Sequence, residues 1–236
     1  MSSLMRQVKL RSVNMFHYSS HLAALCENYA SLEMTCNYLP MVRMTLETCK
    51  IGEFMSQHVY KGKLKSNPSH PVSASTIACH FVDVNGMEQL DTGGKSSFNQ
   101  QEVEAVILIA EHLQEENVPF RIITPYDAQR SAIEQALQGG GLNWHDKCFN
   151  VDSFQGNEDH VIIISVVRSK ELGFLTSLQR TNVMLTRCQR GMYIVSSRGF
   201  LEGKGADSLV GKMAAELGKR PGAWLTLSDL SEGRFE

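Results

Sequence analysis

The tetrapeptide Gly93-Gly94-Lys95-Ser96 places a lysine and a hydroxyl at the spacing that phosphate-binding loops use. A complete loop has the form G-x-x-x-x-G-K-[ST], which requires a glycine at position 89. Gln89 stands there, and Gly86 lies three residues too far upstream for the backbone N–H groups to surround a phosphate. The apolar run VIIISVV ends in Arg168 rather than in the carboxylates that would bind Mg²⁺. We therefore interpret the tetrapeptide as a glycine-rich turn that caps the next helix.

Three longer segments place polar residues directly beside apolar, strand-like runs. In chain order they are ITPYDAQRSAIEQAL, NVDSFQGNEDHVIIISVVRS and LQRTNVMLTRCQRGMYIVSS. Gly156 in the second segment would let the backbone approach a ligand closely. Its neighbours Gln155 and Glu158 have no packing role between two buried strands, which favours a ligand contact over a plain polar β-turn. In the third segment, the permanently charged guanidinium of Arg187 suits bidentate contact with phosphoryl oxygens.

In this order, the three segments resemble the C-terminal motor lobe of superfamily 1 helicases, in the branch of the nonsense-mediated-decay (up-frameshift) RNA helicases. The resemblance covers residues 50–203 and is strongest from 120 to 200. It implies an α/β fold with a RecA-like parallel β-sheet flanked by helices, which forms the second lobe and has no phosphate loop. It further implies an ATP-dependent RNA or DNA helicase, of which this lobe alone would be inactive.

The resemblance implies a nucleotide site that is completed by two lobes. Arg187 matches the arginine finger of the family, which stabilises the charge of the γ-phosphoryl transition state, and Arg190 is a weaker candidate for the same site. Gln155, Gly156 and Glu158 match positions that line the nucleotide, the glutamate being placed for the ribose. ATP and Mg²⁺ are thus expected only in a complete two-lobe helicase, with no cofactor for the isolated chain. The alternative for Arg187 is an ordinary surface ion pair.

The resemblance also implies contacts with single-stranded RNA or DNA. The positions that match the nucleic-acid contacts of the family are Thr124, Pro125, Tyr126, Gln129, Asp152 and Ser153. Hydroxyl groups can donate to phosphate oxygens, and a tyrosine can stack on a base, although a purely structural Pro-Tyr turn remains open. Arg130 could add a charged contact, whereas Arg180 and Asn182 would brace the helix that carries Arg187. The second implied partner is a first RecA-like lobe, in the same or another chain.

The sequence departs from the family before residue 50. The Q-Y-R-M segment that should precede IGEF is replaced by RMTLETCK, so Arg43 is not assigned the phosphate contact of that segment. The first lobe is also missing. The chain could be a fragment of a larger helicase, or a short protein that keeps the lobe as a protein- or nucleic-acid-binding module. Another type of nucleotide-binding domain is a third alternative, against which the absence of G-x-G-x-x-G counts.

The elements that would position these residues follow from hydrophobic periodicity. The runs IACHFVDV, FRIIT, FNVDSF, HVIIISVV and MYIVSS predict strands. The segments IGEFMSQHV, NQQEVEAVILIAEHL (with Asn99 as N-cap), DAQRSAIEQAL, RTNVMLTRC and DSLVGKMAAELG predict helices. Alternation of this kind predicts a parallel sheet of five or six strands with helices on its faces. The predicted divisions are an irregular segment 1–49, the lobe 50–203, and a C-terminal helix with a peripheral tail at 204–236.

Composition limits the other classes of function. The formal net charge of −2 shows no global basic excess, so nucleic-acid binding would have to come from a local surface. None of the six cysteines forms a C-x-x-C pair, which argues against a zinc ribbon, and H-E-x-x-H is absent. No apolar run approaches the roughly 20 residues of a membrane span. We therefore expect no metal site, no membrane contact and an intracellular protein, cytoplasmic or nuclear.

Overall fold

The computed structural model describes residues 49–63 and 77–235, which belong to one compact unit within Met44–Glu236. Residues 1–48, including Arg43 and nearly all of the predicted irregular segment, lie outside the described residues. The strands of the described part, numbered in chain order, are β1 (Cys79–Asp83), β2 (Gln89–Leu90), β3 (Ser97–Phe98), β4 (Phe120–Thr124), β5 (Cys148–Asn150), β6 (Asp159–Ser165), β7 (Cys188–Ser196) and β8 (Trp224–Thr226).

The helices alternate with these strands along the chain, as the periodicity predicts. They are α1 (Cys49–His58), α2 (Gln100–Glu115), α3 (Asp127–Gly139), α4 (Leu178–Leu185), α5 (Arg198–Glu202), α6 (Leu209–Leu217) and α7 (Leu227–Ser231), with a 3₁₀ helix at Gly173–Thr176. The predicted N-cap of α2 is confirmed, because the Asn99 side chain accepts a hydrogen bond from the Glu102 amide.

Six strands form one sheet in the order β5-β4-β6-β7-β1-β8, and every neighbouring pair is parallel. Side chains of β6 alternate between two hydrophobic cores: Ile162 and Ile164 face one core, and Ile163 faces the other. Helices α1, α4, α5 and α6 contribute to the first core, and α2, α3 and α7 contribute to the second. The predicted RecA-like α/β fold, a parallel sheet flanked by helices, is confirmed.

Two element boundaries differ from the prediction, and both differences bear on the site. The predicted strand FNVDSF ends at Asn150, because residues 151–156 turn away from the sheet. The predicted helix RTNVMLTRC ends at Leu185, because Cys188 already pairs with Asp159 at the start of β6. Arg187 therefore lies between helix and strand, and Arg190 lies within β7 rather than one helical turn further on.

The tetrapeptide Gly93-Gly94-Lys95-Ser96 lies in the turn of a two-stranded hairpin formed by β2 and β3. The Asp91 carboxylate accepts hydrogen bonds from the Lys95 and Ser96 amides at 2.8 and 3.1 Å. The predicted turn is therefore confirmed, but its predicted role as cap of the next helix is wrong. Asn99 caps that helix, and the Ser96 hydroxyl instead accepts the Ala128 amide in the first turn of α3.

The C-terminal segment belongs to the sheet. Strand β8 pairs in parallel with β1, and the side chains of Leu225 and Leu230 are buried in the second core. The prediction of a peripheral tail is wrong, because this short strand covers the backbone groups on the outer side of β1.

No helix in the described ranges, 49–63 and 77–235, is long and apolar enough to cross a membrane.

Candidate functional site

The parallel sheet gathers the predicted nucleic-acid contacts at the carboxyl ends of two neighbouring strands. Thr124 ends β4 opposite Asn150, which ends β5. Pro125 and Tyr126 follow the first strand, and the exposed Asp152 follows the second. The structure therefore brings these two parts of the prediction together, because parallel neighbours end at the same edge of a sheet.

Tyr126 is half-buried at this edge of the sheet, which is called the carboxyl edge because strands β4 and β5 end there. Its hydroxyl accepts a hydrogen bond from the Phe174 amide at 3.2 Å, and the Arg168 guanidinium lies 5.9 Å from its ring centroid. Burial raises the pKa of Tyr126, so the phenol stays neutral at physiological pH. The β4–α3 turn is thus attached to the β6–α4 connection (residues 166–177), which leads into helix α4.

Two of the predicted nucleic-acid contacts, Gln129 and Thr124, have buried side chains. Gln129 is 0% exposed. Its amide is bonded to both backbone groups of Asn99 and to the Ser165 hydroxyl, at 2.7, 3.3 and 2.9 Å. Thr124 is also 0% exposed, and its hydroxyl has no hydrogen-bond partner within the described part of the chain. A nucleic-acid strand at this edge could reach the backbone around Thr124. It could not reach these two side chains, because Thr124 is buried and the first turn of α3 turns Gln129 inward.

Asp152 and Ser153 lie exposed in the β5–β6 connection (residues 151–158). The Asp152 carboxylate forms a bidentate ion pair with Arg180, in which the Nε–Oδ1 distance is 3.1 Å. Arg180 thereby ties helix α4 to this connection, in line with the predicted bracing role. The Ser153 hydroxyl donates to the Asn150 carbonyl at 3.0 Å. Arg130 is paired with Glu134 at 2.8 Å, so its charge is already partly balanced.

Two of the predicted nucleotide contacts, Glu158 and Arg187, lie at the opposite edge of the sheet, where strands β6 and β7 begin. Glu158 directly precedes β6 and Arg187 directly precedes β7, and the Asp159 amide donates to the Arg187 carbonyl at 3.2 Å. Gln155, Gly156 and Glu158 are all exposed. Gly156 has a φ of 88°, and a side chain there would meet nothing within 4 Å, so its backbone is open to a ligand.

The Arg187 guanidinium is folded back onto the end of its own helix. Its Nε donates to the Val183 carbonyl at 2.8 Å, and its Nη2 donates to the Thr186 hydroxyl at 2.9 Å. Burial lowers the pKa of Arg187, and the nearby Glu158 carboxylate opposes that shift. The cation therefore caps the carboxyl end of α4, where the helix dipole favours positive charge. Arg190 is exposed two residues into β7.

Two further residues complete the surroundings of Arg187. The Asn182 side-chain amide donates to the Tyr60 hydroxyl at 2.9 Å, and Tyr60 also acts electrostatically on Arg187. Asn182 is thus bonded to the segment after α1, rather than only bracing its own helix. Tyr60 escaped prediction because it is 127 positions before Arg187 in the sequence, and only the packing of α1 against the sheet brings it near.

A buried polar network lies beneath the carboxyl edge and was not predicted. The fully buried Glu102 accepts hydrogen bonds from the Ser165 hydroxyl at 2.6 Å and from the Val167 amide at 2.8 Å. Burial raises the pKa of Glu102 to about 8. In the sequence, the spacing Asn99-x-x-Glu102 matches a capping box. This pattern was the signal that could have pointed to Glu102.

Within residues 49–63 and 77–235, no group of three or more His, Cys, Asp or Glu side chains is arranged to hold a metal ion.

Comparison with known proteins identifies the family. Residues 19–199 match the protein family described as "AAA domain". The chain belongs to this family. An uncharacterized ATP-dependent helicase of Methanocaldococcus jannaschii is 31% identical over 171 residues, which cover 65% of this chain and 26% of that protein. The ATP-dependent helicase upf1 of Schizosaccharomyces pombe is 32% identical over 181 residues, which cover 66% of this chain and 19% of that protein.

These relatives confirm the predicted resemblance to an up-frameshift-type superfamily 1 helicase lobe. The chain spans about a quarter of the archaeal helicase and about a fifth of the yeast helicase. Among solved structures, the C-terminal domain of a possible DNA helicase from Lactobacillus is similar with a TM-score of 0.42 and 12% identity, over 64% of this chain and 86% of that one.

Proposed function

We propose that this AAA-family lobe is the C-terminal motor lobe of an ATP-dependent RNA or DNA helicase. It would supply Arg187 as the arginine finger and the Tyr126 turn as part of the strand-binding track. The single observation that carries the proposal is the contact between the starts of β6 and β7. There the Asp159 amide binds the Arg187 carbonyl, so that Glu158 and Arg187 are neighbours at one edge of the sheet.

The surroundings of Arg187 fit a nucleotide that approaches from another lobe. A guanidinium has five N–H donors, and the end of α4 uses two of them, which leaves donors for phosphate oxygens. Its partial burial strengthens its interaction with an anion, since less water competes. When bound, ATP supplies the γ-phosphoryl group that is transferred to water. Arg187 would stabilise the charge that develops on that group, and Glu158 would face the ribose.

The open backbone at Gly156 supports a second contact to the same ligand. The exposed Gln155 and the unobstructed Gly156 lie in the connection that ends at Glu158. This one loop would therefore contact the nucleotide at several positions. The phosphate cradle and the carboxylates for Mg²⁺ would come from the first lobe, which makes that lobe the required partner. ATP and Mg²⁺ would therefore be ligands of the closed two-lobe assembly.

The strand-binding role is assigned to the carboxyl edge. Tyr126 offers a half-exposed ring for stacking, and the backbone of the β5–β6 connection offers polar groups. The two edges lie about 20 Å apart, the length of a seven-residue strand. Contacts at opposite edges would let the lobe bind the nucleic-acid strand and the nucleotide at the same time.

The test uses Arg187→Ala in the native polypeptide, after an immunoblot with an antibody against residues 120–200 has measured its size. If the polypeptide contains a phosphate-loop lobe, we expect ATP turnover to fall by about 10³ or more, with strand affinity unchanged. The chain of 236 residues alone should show no turnover above background. Turnover by that chain, abolished in Arg187→Ala, would overturn the proposal. A silent substitution in a two-lobe polypeptide would favour a binding module instead.

A further inference from the structure

Arg180 is an exposed cation among aromatic side chains at the carboxyl edge. Its guanidinium carbon lies 4.5 Å from the centroid of the Phe174 ring, and the Phe174 amide donates to the Tyr126 hydroxyl. Burial raises the pKa of Tyr126, and the positive charge of Arg180 opposes part of that rise, so the two side chains are electrostatic neighbours. Arg180 therefore lies beside the turn that the proposed function assigns to the strand.

The ion pair between Arg180 and Asp152 is exposed enough for a phosphate to replace the carboxylate. The Arg180 side chain is 48% exposed, and its partner Asp152 is 65% exposed. Ion pairs this open to water contribute little to folding. The second guanidinium near Tyr126, that of Arg168, differs because its side chain is only 18% exposed and is paired with an 11% exposed Glu88. Arg180 is thus the accessible cation of the two, and stacking on Phe174 already orients its planar donor fork.

We propose that Arg180 binds a backbone phosphate of the single strand, and that Asp152 is the counter-ion which this phosphate displaces. The inference rests on the proposed function, and it deepens that function by naming the phosphate contact. It also changes the role of Asp152, because a carboxylate facing the nucleic-acid backbone would repel phosphates. Asp152 instead holds Arg180 in position until a strand arrives.

This exchange would connect the strand to the nucleotide site. Helix α4 is eight residues long, or about 12 Å, with Arg180 in its first turn and Arg187 two residues beyond its end. The Asp152–Arg180 pair ties the start of this helix to the β5–β6 connection. When a phosphate replaces Asp152, helix α4 loses its ion pair with the β5–β6 connection. Binding of the nucleic-acid strand therefore acts on the helix that ends beside Arg187.

The test measures binding of the purified chain to fluorescent, unstructured single-stranded RNA and DNA oligonucleotides by anisotropy over a range of salt concentrations. Arg180→Ala should weaken binding several-fold and lower the slope of log K against log[salt] by about 0.7. Arg180→Lys should restore the slope but only part of the affinity, because the ammonium lacks the planar fork. Asp152→Asn should strengthen binding several-fold.

Two variants control for the change in net charge alone. Arg234→Ala removes another exposed arginine that is paired with an aspartate, Asp229. Arg234 also has an aromatic neighbour, Phe235, whose ring stacks on His112 in the last turn of α2. Glu53→Gln removes an exposed carboxylate that is paired with Lys50. Each should change affinity less than its counterpart at the carboxyl edge. Thermal unfolding of every variant reports whether the fold is retained.

The outcomes separate the inference from the proposed function. Measurable binding by the wild type with equal effects of Arg180→Ala and Arg234→Ala would overturn the inference alone. Weaker binding of Asp152→Asn would also overturn it, because the pair would then serve only to hold the loop. A wild-type chain that binds no RNA or DNA strand would overturn both the strand-binding role and this inference.

Discussion

The Val167 amide donates to the Glu102 carboxyl group at 2.8 Å, and the φ angle of Val167 is 71°. A β-branched residue rarely adopts this left-handed conformation, which costs about 1–3 kcal/mol. The same carboxyl group also accepts a hydrogen bond from the Ser165 hydroxyl, so one side chain from α2 binds both sides of the point where the chain leaves β6. That point leads directly to Arg168 and to the connection that contacts Tyr126. The geometry of the carboxyl edge therefore depends on a buried carboxyl group.

The first prediction concerns the pH dependence of stability. Burial raises the pKa of Glu102 from 4.5 to about 8 in the folded state, so between these values only the folded chain keeps the proton. The contribution of Glu102 to the free energy of unfolding is full below pH 4.5. It falls by up to about 1.4 kcal/mol per pH unit as pH rises to 8. Glu102→Gln should remove this slope, measured by urea unfolding at pH 5.5, 6.5 and 7.5.

The matched control for that series is Glu104→Gln, which changes an exposed glutamate of the same helix. Because Glu102 is intact, this variant should keep the slope of the wild type. A stability difference between wild type and Glu102→Gln that does not vary with pH would show that the Glu102 carboxyl does not titrate in this range.

The second prediction distinguishes a structural from a ligand-binding role for Gln129. Gln129→Ala leaves the buried Asn99 backbone groups and the Ser165 hydroxyl without this partner, so the free energy of unfolding should fall by about 2–3 kcal/mol. Strand affinity of the folded protein should stay unchanged. The exposed Gln135 on the same helix provides the control, and Gln135→Ala should change stability by less than about 0.5 kcal/mol. Lost strand affinity with unchanged stability would support the original assignment instead.

The third prediction compares two helical glycines with opposite expected signs. A Cβ at Gly211 in α6 would overlap the Gly205 carbonyl oxygen and lie 2.8 Å from the Ala206 Cα, so Gly211→Ala should destabilise the fold by about 1–3 kcal/mol. A Cβ at Gly139 in α3 would meet nothing within 4 Å, so Gly139→Ala should stabilise it by about 0.4–1 kcal/mol. Thermal and urea unfolding measure both. Equal effects of the two substitutions would contradict the close packing of α6.

The fourth prediction tests whether the C-terminal segment belongs to the fold. Leu225 in β8 is 4% exposed, and Leu225→Ala should cost about 2–5 kcal/mol of unfolding free energy. Leu90 in the hairpin is 65% exposed, and Leu90→Ala should change stability by less than about 0.5 kcal/mol. Similar small effects at both positions would mean that the tail is peripheral after all.

Local patterns predicted the elements well where one physical signal dominated. The apolar run HVIIISVV predicted β6, because a parallel strand covered on both faces needs apolar side chains on both faces. Asn99 predicted the start of α2, since its side chain satisfies an amide that the helix leaves free. The end of α4 could not be predicted in this way. LTRC continues a plausible helix, and only the pairing of Cys188 with β6 ends it.

The candidate residues of the site came from the sequence, whereas their surroundings came from the structure. Residue types in their order along the chain were enough to predict the parallel α/β class and the family resemblance, and to name Tyr126 and Arg187 as candidates. The packing of the folded chain buries Gln129, pairs Asp152 with Arg180 and brings Tyr60 near Arg187. Burial and ion pairing join residues from different elements. Their partners are therefore chosen by the packing of helices on the sheet, which no local pattern encodes.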